Sequence, residues 1–366
     1  MGSHQTTKRV IGLRAARGVL IGVMIYLVIE TLGAQAYRRI LEPESLAGLM
    51  DLVLRAELQR PETASPRIAI IGNSRLAEGF SAKIATAQAA GKMVFSNLSV
   101  PATTPRCWYY FLRDVDPNAN RFRAIVLQTD LYSDEDGDVP SADEIGDLHG
   151  VVAFLRPTDS FDFAFSYLFP RFQFQALRGA LLKGYVFKQD VQALLEAPAE
   201  RLRKVALFRE GHHNWAYDYE GHSESLKGLA VDWKNETMSL PPGVPDAVAK
   251  QLRAFLLRKR SPQTGAQRRY RQLWLGRIVD RYRSSETRVV FLRVPRGPAI
   301  NPITMSDQGP SIIRDLARST GVIALEADTF NSLETPETFW DAVHMNRSGR
   351  EQFSRMLANE LASGAI

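Results

Sequence analysis

Apolar positions along this 366-residue chain fall into runs of three kinds, and each kind predicts a different element. Short continuous runs recur at Arg67–Ile71, Val94–Val100, Ala124–Asp130, Arg288–Val294 and Val322–Leu325, and several are bounded by Pro or Gly. Runs of that length and composition suit strands buried on both faces of a sheet. Between them, apolar residues recur at helical spacing. Leu46, Leu49, Met50, Leu52, Val53 and Leu58 do so within Glu44–Arg60, as do segments from Leu76 to Ala90, at Arg106–Arg113 and at Ser311–Thr320. A last such segment, Arg350–Ala362, carries Phe353, Met356, Leu357 and Leu361 on one side. Strands alternating with helices predict an α/β fold, a three-layer sandwich around a central parallel sheet. Ligands of such sheets bind beyond the strand C-termini. The polar residues after the first three strands therefore share one rim: Ser74, the Ser99–Thr104 loop, and Thr129 with Asp130.

The third kind of run occurs once. Gly18–Tyr37 holds a single charged residue, Glu30, over a length that would span a bilayer as a helix of about 20 residues. Lys8, Arg9, Arg14 and Arg17 precede it, whereas Arg38 and Arg39 are soon met by Glu42 and Glu44. That bias predicts a single-pass transmembrane helix with a cytoplasmic N-terminus, contact with membrane lipid, and an extracytoplasmic bulk. A cleaved signal peptide, suggested by Ala34-Gln35-Ala36, and a buried core helix both fit less well. The run exceeds a usual signal core, and basic residues flank it.

From about Gly137 to Ser285 strand patterns stop, and Ala176–Tyr185, Phe187–Ala197 and Val248–Lys259 read as helices. A mainly helical insertion is predicted there, with the aromatics of Phe161–Phe174 explained more simply by core packing than by a membrane- or partner-facing surface. The expected organisation is a tail and anchor at 1–40, the first part of the α/β domain at 41–136, the insertion at 137–285, and the second part of the domain at 286–366.

Composition narrows the chemistry. A net charge of +6 raises the prospect of nucleic acid, but the arginines are scattered or flank the first apolar run. With no zinc-finger spacing, RNA-binding signature or sustained basic run, no nucleic-acid partner is expected. Cys107 is the single cysteine, which excludes an internal disulfide and a Cys-rich metal site. The acidic cluster Ser133–Asp138 lacks the distal Glu of a calcium loop, and His212-His213 with His222 lacks the spacing that puts two imidazoles on one helix face. No metal and no cofactor are expected.

Candidate chemistry sits where the first strand stops, at Gly72-Asn73-Ser74-Arg75. A hydroxyl at a strand-to-helix turn points out of the sheet edge, beside the unpaired N–H groups of the helix start. A helix cap at Asn73 or Ser74 is the simpler account of these residues taken alone. A distant sequence changes the balance: Phe339-Trp340-Asp341-Ala342-Val343-His344, just before the final helix. Asp and His three apart on a loop can lie side by side, so Asp341 would orient the His344 imidazole toward a nucleophile.

With Ser74 after strand one and D-x-x-H before the last helix, the chain resembles the SGNH hydrolase superfamily, or GDSL-like esterases, over residues 65–132 and 286–362. The resemblance implies a flavodoxin-like topology with Ser74 as nucleophile, His344 as general base, Asp341 as its orienting carboxylate, and the Ser74 N–H as first oxyanion donor. The family's further donors, a Gly N–H and an Asn side chain, are replaced here by Ser99-Val100-Pro101-Ala102-Thr103-Thr104-Pro105 and by Gln128-Thr129-Asp130. Asn73, Arg75, Thr103, Thr129 and Asp130 are therefore the candidate oxyanion or substrate residues. For Arg75 an ion pair with Glu78 is favoured over an anionic substrate. With its predicted anchor, the chain is similar to the membrane-anchored proteins of bacterial envelope-polymer acylation, DltD and the alginate O-acetylation proteins, which work beside a multi-spanning acyltransferase. A serine esterase or O-acyltransferase acting on an envelope glycan or polymer is implied. The competing expectation is a noncatalytic component of the same fold that binds the acyltransferase or the polymer.

Overall fold

The computed structural model describes residues 37–134, 145–212, 219–257, 264–301 and 308–365, with isolated positions between 17 and 28. Its strands, in chain order, are β1 (Arg67–Ile71), β2 (Val94–Asn97), β3 (Ala124–Thr129), β4 (Ala230–Asp232), β5 (Thr237–Ser239), β6 (Arg288–Arg293) and β7 (Val322–Ala324). Five of them form one parallel sheet in the order β2-β1-β3-β6-β7, while β4 and β5 pair as a separate antiparallel hairpin. Counting the sheet strands alone, the order is a common doubly wound one whose switch point lies between β1 and β3. Ser74 follows β1 and Asp130 follows β3, so both flank that crevice.

Period-two alternation explains how the sheet buries both faces. Ala69, Ile71, Ile125, Leu127, Val289 and Phe291 join one core, shared with helices α1 (Leu46–Leu58) and α4 (Pro105–Val115). Ile68, Ile70, Ala124, Val126, Val290 and Leu292 join the other, with Phe353 and Leu357 of the last helix (Arg347–Glu360). Each such fully buried Ile, Leu or Phe contributes about 1.5–3 kcal/mol. The α/β class and its central parallel sheet flanked by helices are thus as the apolar runs predict.

Between β3 and β6 the regular elements among the described residues are helices and the β4–β5 hairpin, and none adds a strand to the sheet. This region does not fold apart from the sheet. Val151, Val152, Phe163 and Trp274 are buried in the same core as Ile125 and Phe291. Its aromatics divide by helical geometry: Phe163 and Tyr167 are buried one turn apart, whereas Phe161, Phe165, Phe169 and Phe174 are exposed, so core packing accounts for only part of the cluster.

The helix expected from Leu76 to Ala90 is two helices, α2 (Ser74–Gly79) and α3 (Ala82–Gln88). The buried Asn97 side chain ends the first by donating from Nδ2 to the carbonyls of Leu76 (3.1 Å) and Phe80 (3.0 Å). Ser81 starts the second, accepting from the Ile84 N–H while its own N–H donates to Ser354 Oγ at 2.8 Å. The apolar run Gly18–Tyr37 lies largely outside the described residues, as do His213 and most of the acidic cluster Ser133–Asp138. Among the described residues no helix is long and apolar enough to cross a membrane.

Candidate active site

The turn after β1 is set by a close approach. A Cβ at Gly72 would press on the Gln128 side chain at the end of β3, so a glycine there lets the two strand ends meet. Gln128 then clamps Asn73 from both ends of its amide: Oε1 accepts from the Asn73 N–H (3.0 Å), and Nε2 donates to Asn73 Oδ1 (2.9 Å). Asn73 Oδ1 also accepts from the Arg75 N–H, capping α2 and fixing Ser74 at its first residue. The Ser74 N–H belongs to the first helical turn, where no intrahelical acceptor exists.

The second half of the site is a closed loop. Phe339 and Met345 form an antiparallel bridge, and the Trp340 N–H donates to the His344 carbonyl at 3.2 Å. Asn346 pins the loop to the final helix by accepting from the Gly349 N–H and donating to the Glu337 carbonyl. Inside it, Asp341 Oδ1 accepts from the N–H groups of Val343 (2.8 Å) and His344 (2.7 Å), while Oδ2 meets His344 Nδ1 at 2.8 Å. His344 Nε2 lies 2.8 Å from Ser74 Oγ, joining residues 270 apart in sequence. An ionised carboxylate only accepts, so Nδ1 carries the ring proton and Nε2 accepts from the Ser74 hydroxyl. Ser74 and His344 are half-buried, and Asp341 is buried.

Burial works against the Asp341 charge. The His344 hydrogen bond and charge and the two loop N–H groups outweigh it and hold the carboxyl below its usual range. A depressed folded-state value contributes stability above the unfolded value of about 3.9, and that stability is lost as pH falls through the folded value. Urea titrations from pH 6 downward should therefore show unfolding free energy falling more steeply below about pH 4 in the wild type than in Asp341→Asn. Equal slopes would contradict the argument.

No protein-family model matches this chain. No curated protein matches it significantly. Function therefore rests on the geometry, which keeps some expected residues in the site and removes others. Ser74, Asp341 and His344 come together. Arg75 does not pair with Glu78: its buried Nη1 reaches Asp130 Oδ1 at 3.1 Å, because the switch point brings the β3 end beside α2. Glu78 instead accepts from the Tyr219 hydroxyl. The Thr103 hydroxyl donates to the Gly72 and Val100 carbonyls, and the Thr129 hydroxyl to the Leu292 carbonyl. Both side chains fasten backbone, which removes their hydroxyls as oxyanion donors.

Three contributors escaped the sequence reading. Gln128 sets the Asn73 turn, and a glycine facing a strand end is the one signal pointing to it. Ala102 takes a left-handed φ of 60° in the turn closed by the Thr103 N–H on the Val100 carbonyl, the conformation a glycine usually supplies. His222, considered for a metal, stacks on Trp340 at 3.7 Å between ring centres, and Trp340 lies nearly parallel to the His344 ring. Among the described residues no cluster of His, Cys, Asp or Glu could hold a metal ion.

Proposed function

We propose that the protein is a serine esterase or O-acyltransferase that works through a covalent acyl-enzyme. The observation that carries this reading is the continuous Ser74–His344–Asp341 hydrogen-bond chain at the rim of the sheet. In the reaction, His344 Nε2 takes the Ser74 proton as Oγ bonds to an ester carbonyl carbon. The bond to the leaving oxygen then breaks, and that oxygen takes the proton from His344. Water as the second acceptor gives hydrolysis, and a sugar hydroxyl gives acyl transfer.

The serine after β1, the D-x-x-H loop before the last helix and the doubly wound strand order together favour an SGNH-like, flavodoxin-like topology. The apolar run before Tyr37 supports a single-pass anchor in a bacterial cytoplasmic membrane with the domain outside. Leu20, Ile21, Met24, Ile25 and Val28, each at least 51% exposed, fit that placement. An envelope glycan or polymer is then the natural acyl acceptor or substrate, and a multi-spanning membrane acyltransferase the natural partner. A noncatalytic binding role is favoured by one observation, the diversion of the Thr103 and Thr129 hydroxyls to backbone carbonyls. Treating the full chain with a fluorophosphonate and mapping the adduct by peptide mass spectrometry separates the two. A single adduct on Ser74 is expected, and its absence would leave the binding role.

A further inference from the structure

Helix Pro170–Leu181 is apolar on two opposite sides. Ala176, Gly179 and Ala180 are buried and turn one side to the core. Phe174, Arg178 and Leu181 recur at helical spacing on the other, where Phe174 is 66% and Leu181 37% exposed. This outer stripe continues onto the next helix, Lys183–Val186. The Arg178 guanidinium lies 4.2 Å over the Tyr185 ring and donates to its hydroxyl at 3.0 Å, and Tyr185 is itself exposed.

The end of the apolar run Gly18–Tyr37 is held at the same place. The Tyr37 ring meets the ring of Phe187, two residues after Tyr185, at 5.8 Å between centres. Helix Pro198–His212 grips the residues that follow, with Arg209 donating to the Arg38 carbonyl and Arg201 to the Ile40 carbonyl. Tyr37 is the outer end of the span proposed for this run. Headgroups reach only roughly 5–8 Å beyond the hydrocarbon on each side of a bilayer, so what packs around Tyr37 stands in or next to that layer. Aromatic rings backed by guanidinium groups suit it, the rings sitting at headgroup level and the charges among the phosphates.

We propose that the stripe of Phe174, Arg178 and Leu181, together with Tyr185, lies on the outer surface of the lipid bilayer. The proposal rests on the membrane anchor assigned to the apolar run. A span alone lets the domain swing about its exit point. A second contact, made by helices that touch that point, fixes which side of the domain meets lipid and sets the height of Ser74 above it.

The test uses the full chain, one copy per disc, in lipid discs of phosphatidylcholine and phosphatidylglycerol. Phe174→Cys and Leu181→Cys each carry an environment-sensitive fluorophore at a side chain that is exposed in the protein. The reference is Lys234→Cys on the β4–β5 hairpin, whose Val231 and Met238 pack against the core on the opposite face of the sheet. Cys107 takes no label, because it is buried and burial pushes its thiol up to about 12. Quenching by nitroxide-bearing lipid is expected to be about threefold stronger at positions 174 and 181 than at 234, as for groups set ~5–10 Å into the interface. Aqueous iodide should quench in the reverse order. Equal quenching at the three positions overturns the proposal, and since each disc holds no other protein, that result leaves the stripe to a membrane protein or a second copy. A chain that does not migrate with the discs removes the anchor itself, and this proposal with it.

Discussion

Ser74→Ala should abolish the fluorophosphonate adduct and lower ester turnover by about six orders of magnitude, and Asp341→Asn should lower it by about four. The serine effect follows from losing the hydroxyl that meets His344 Nε2 at 2.8 Å. The asparagine effect has a specific cause in this loop. Asp341 Oδ1 accepts from two backbone N–H groups, so the amide oxygen must take that position and the amide NH₂ must face His344 Nδ1. The NH₂ then forces Nδ1 to accept, the ring proton moves to Nε2, and Nε2 no longer takes a proton from Ser74. Initial rates with p-nitrophenyl acetate, alongside thermal melts to show both variants folded, measure the two losses. A folded Ser74→Ala protein with wild-type turnover would falsify the assignment. A folded Asp341→Asn protein with a loss below about tenfold would show that the loop does not control the His344 tautomer.

What the chain revealed in advance was whatever depends on neighbours in sequence. Arg67–Ile71 and Ala124–Thr129 announce themselves as strands because both faces of a central parallel strand must be apolar. Asp341 and His344 could be paired because three residues of loop suffice to bring their side chains together. The setting of Ser74 was much less legible. Its turn depends on Gly72 meeting Gln128, and the partner of Arg75 is Asp130, both choices made by the order in which strands assemble. Helix Thr264–Tyr282 was hidden for a related reason. Trp274, Leu275, Ile278 and Val279 are buried as an apolar face would be, but Gln267 and Arg271 are buried with them, which blurs the periodicity. Both residues that break the pattern, Gln267 and Arg271, line a small cavity of about 60 Å³ beside Asn73.

Asp147→Ala should destabilise the protein by about 3–5 kcal/mol, although Asp147 belongs to neither the sheet nor the triad. Its carboxylate faces Arg106, 1% exposed, with Nη1 at 2.9 and 3.0 Å from the two oxygens. It also accepts from the hydroxyls of Thr104 (2.9 Å) and Tyr167 (2.9 Å). Burial opposes the Arg106 charge, and Asp147 outweighs it, holding the guanidinium above its ordinary range. Removing the carboxylate strands that charge, since the Tyr167 ring, 3.8 Å from the Arg106 Cζ, compensates only part of it. Arg106→Met with Asp147→Leu should recover most of the loss, because replacing both members of a buried ion pair by apolar groups is often close to neutral. Urea titrations of the wild type, single and double variants decide this. A loss below about 1 kcal/mol for Asp147→Ala would mean that water reaches Arg106. The same cluster joins the region between β3 and β6 to the start of α4, where Thr104 and Trp108 line the cavity beside Asn73.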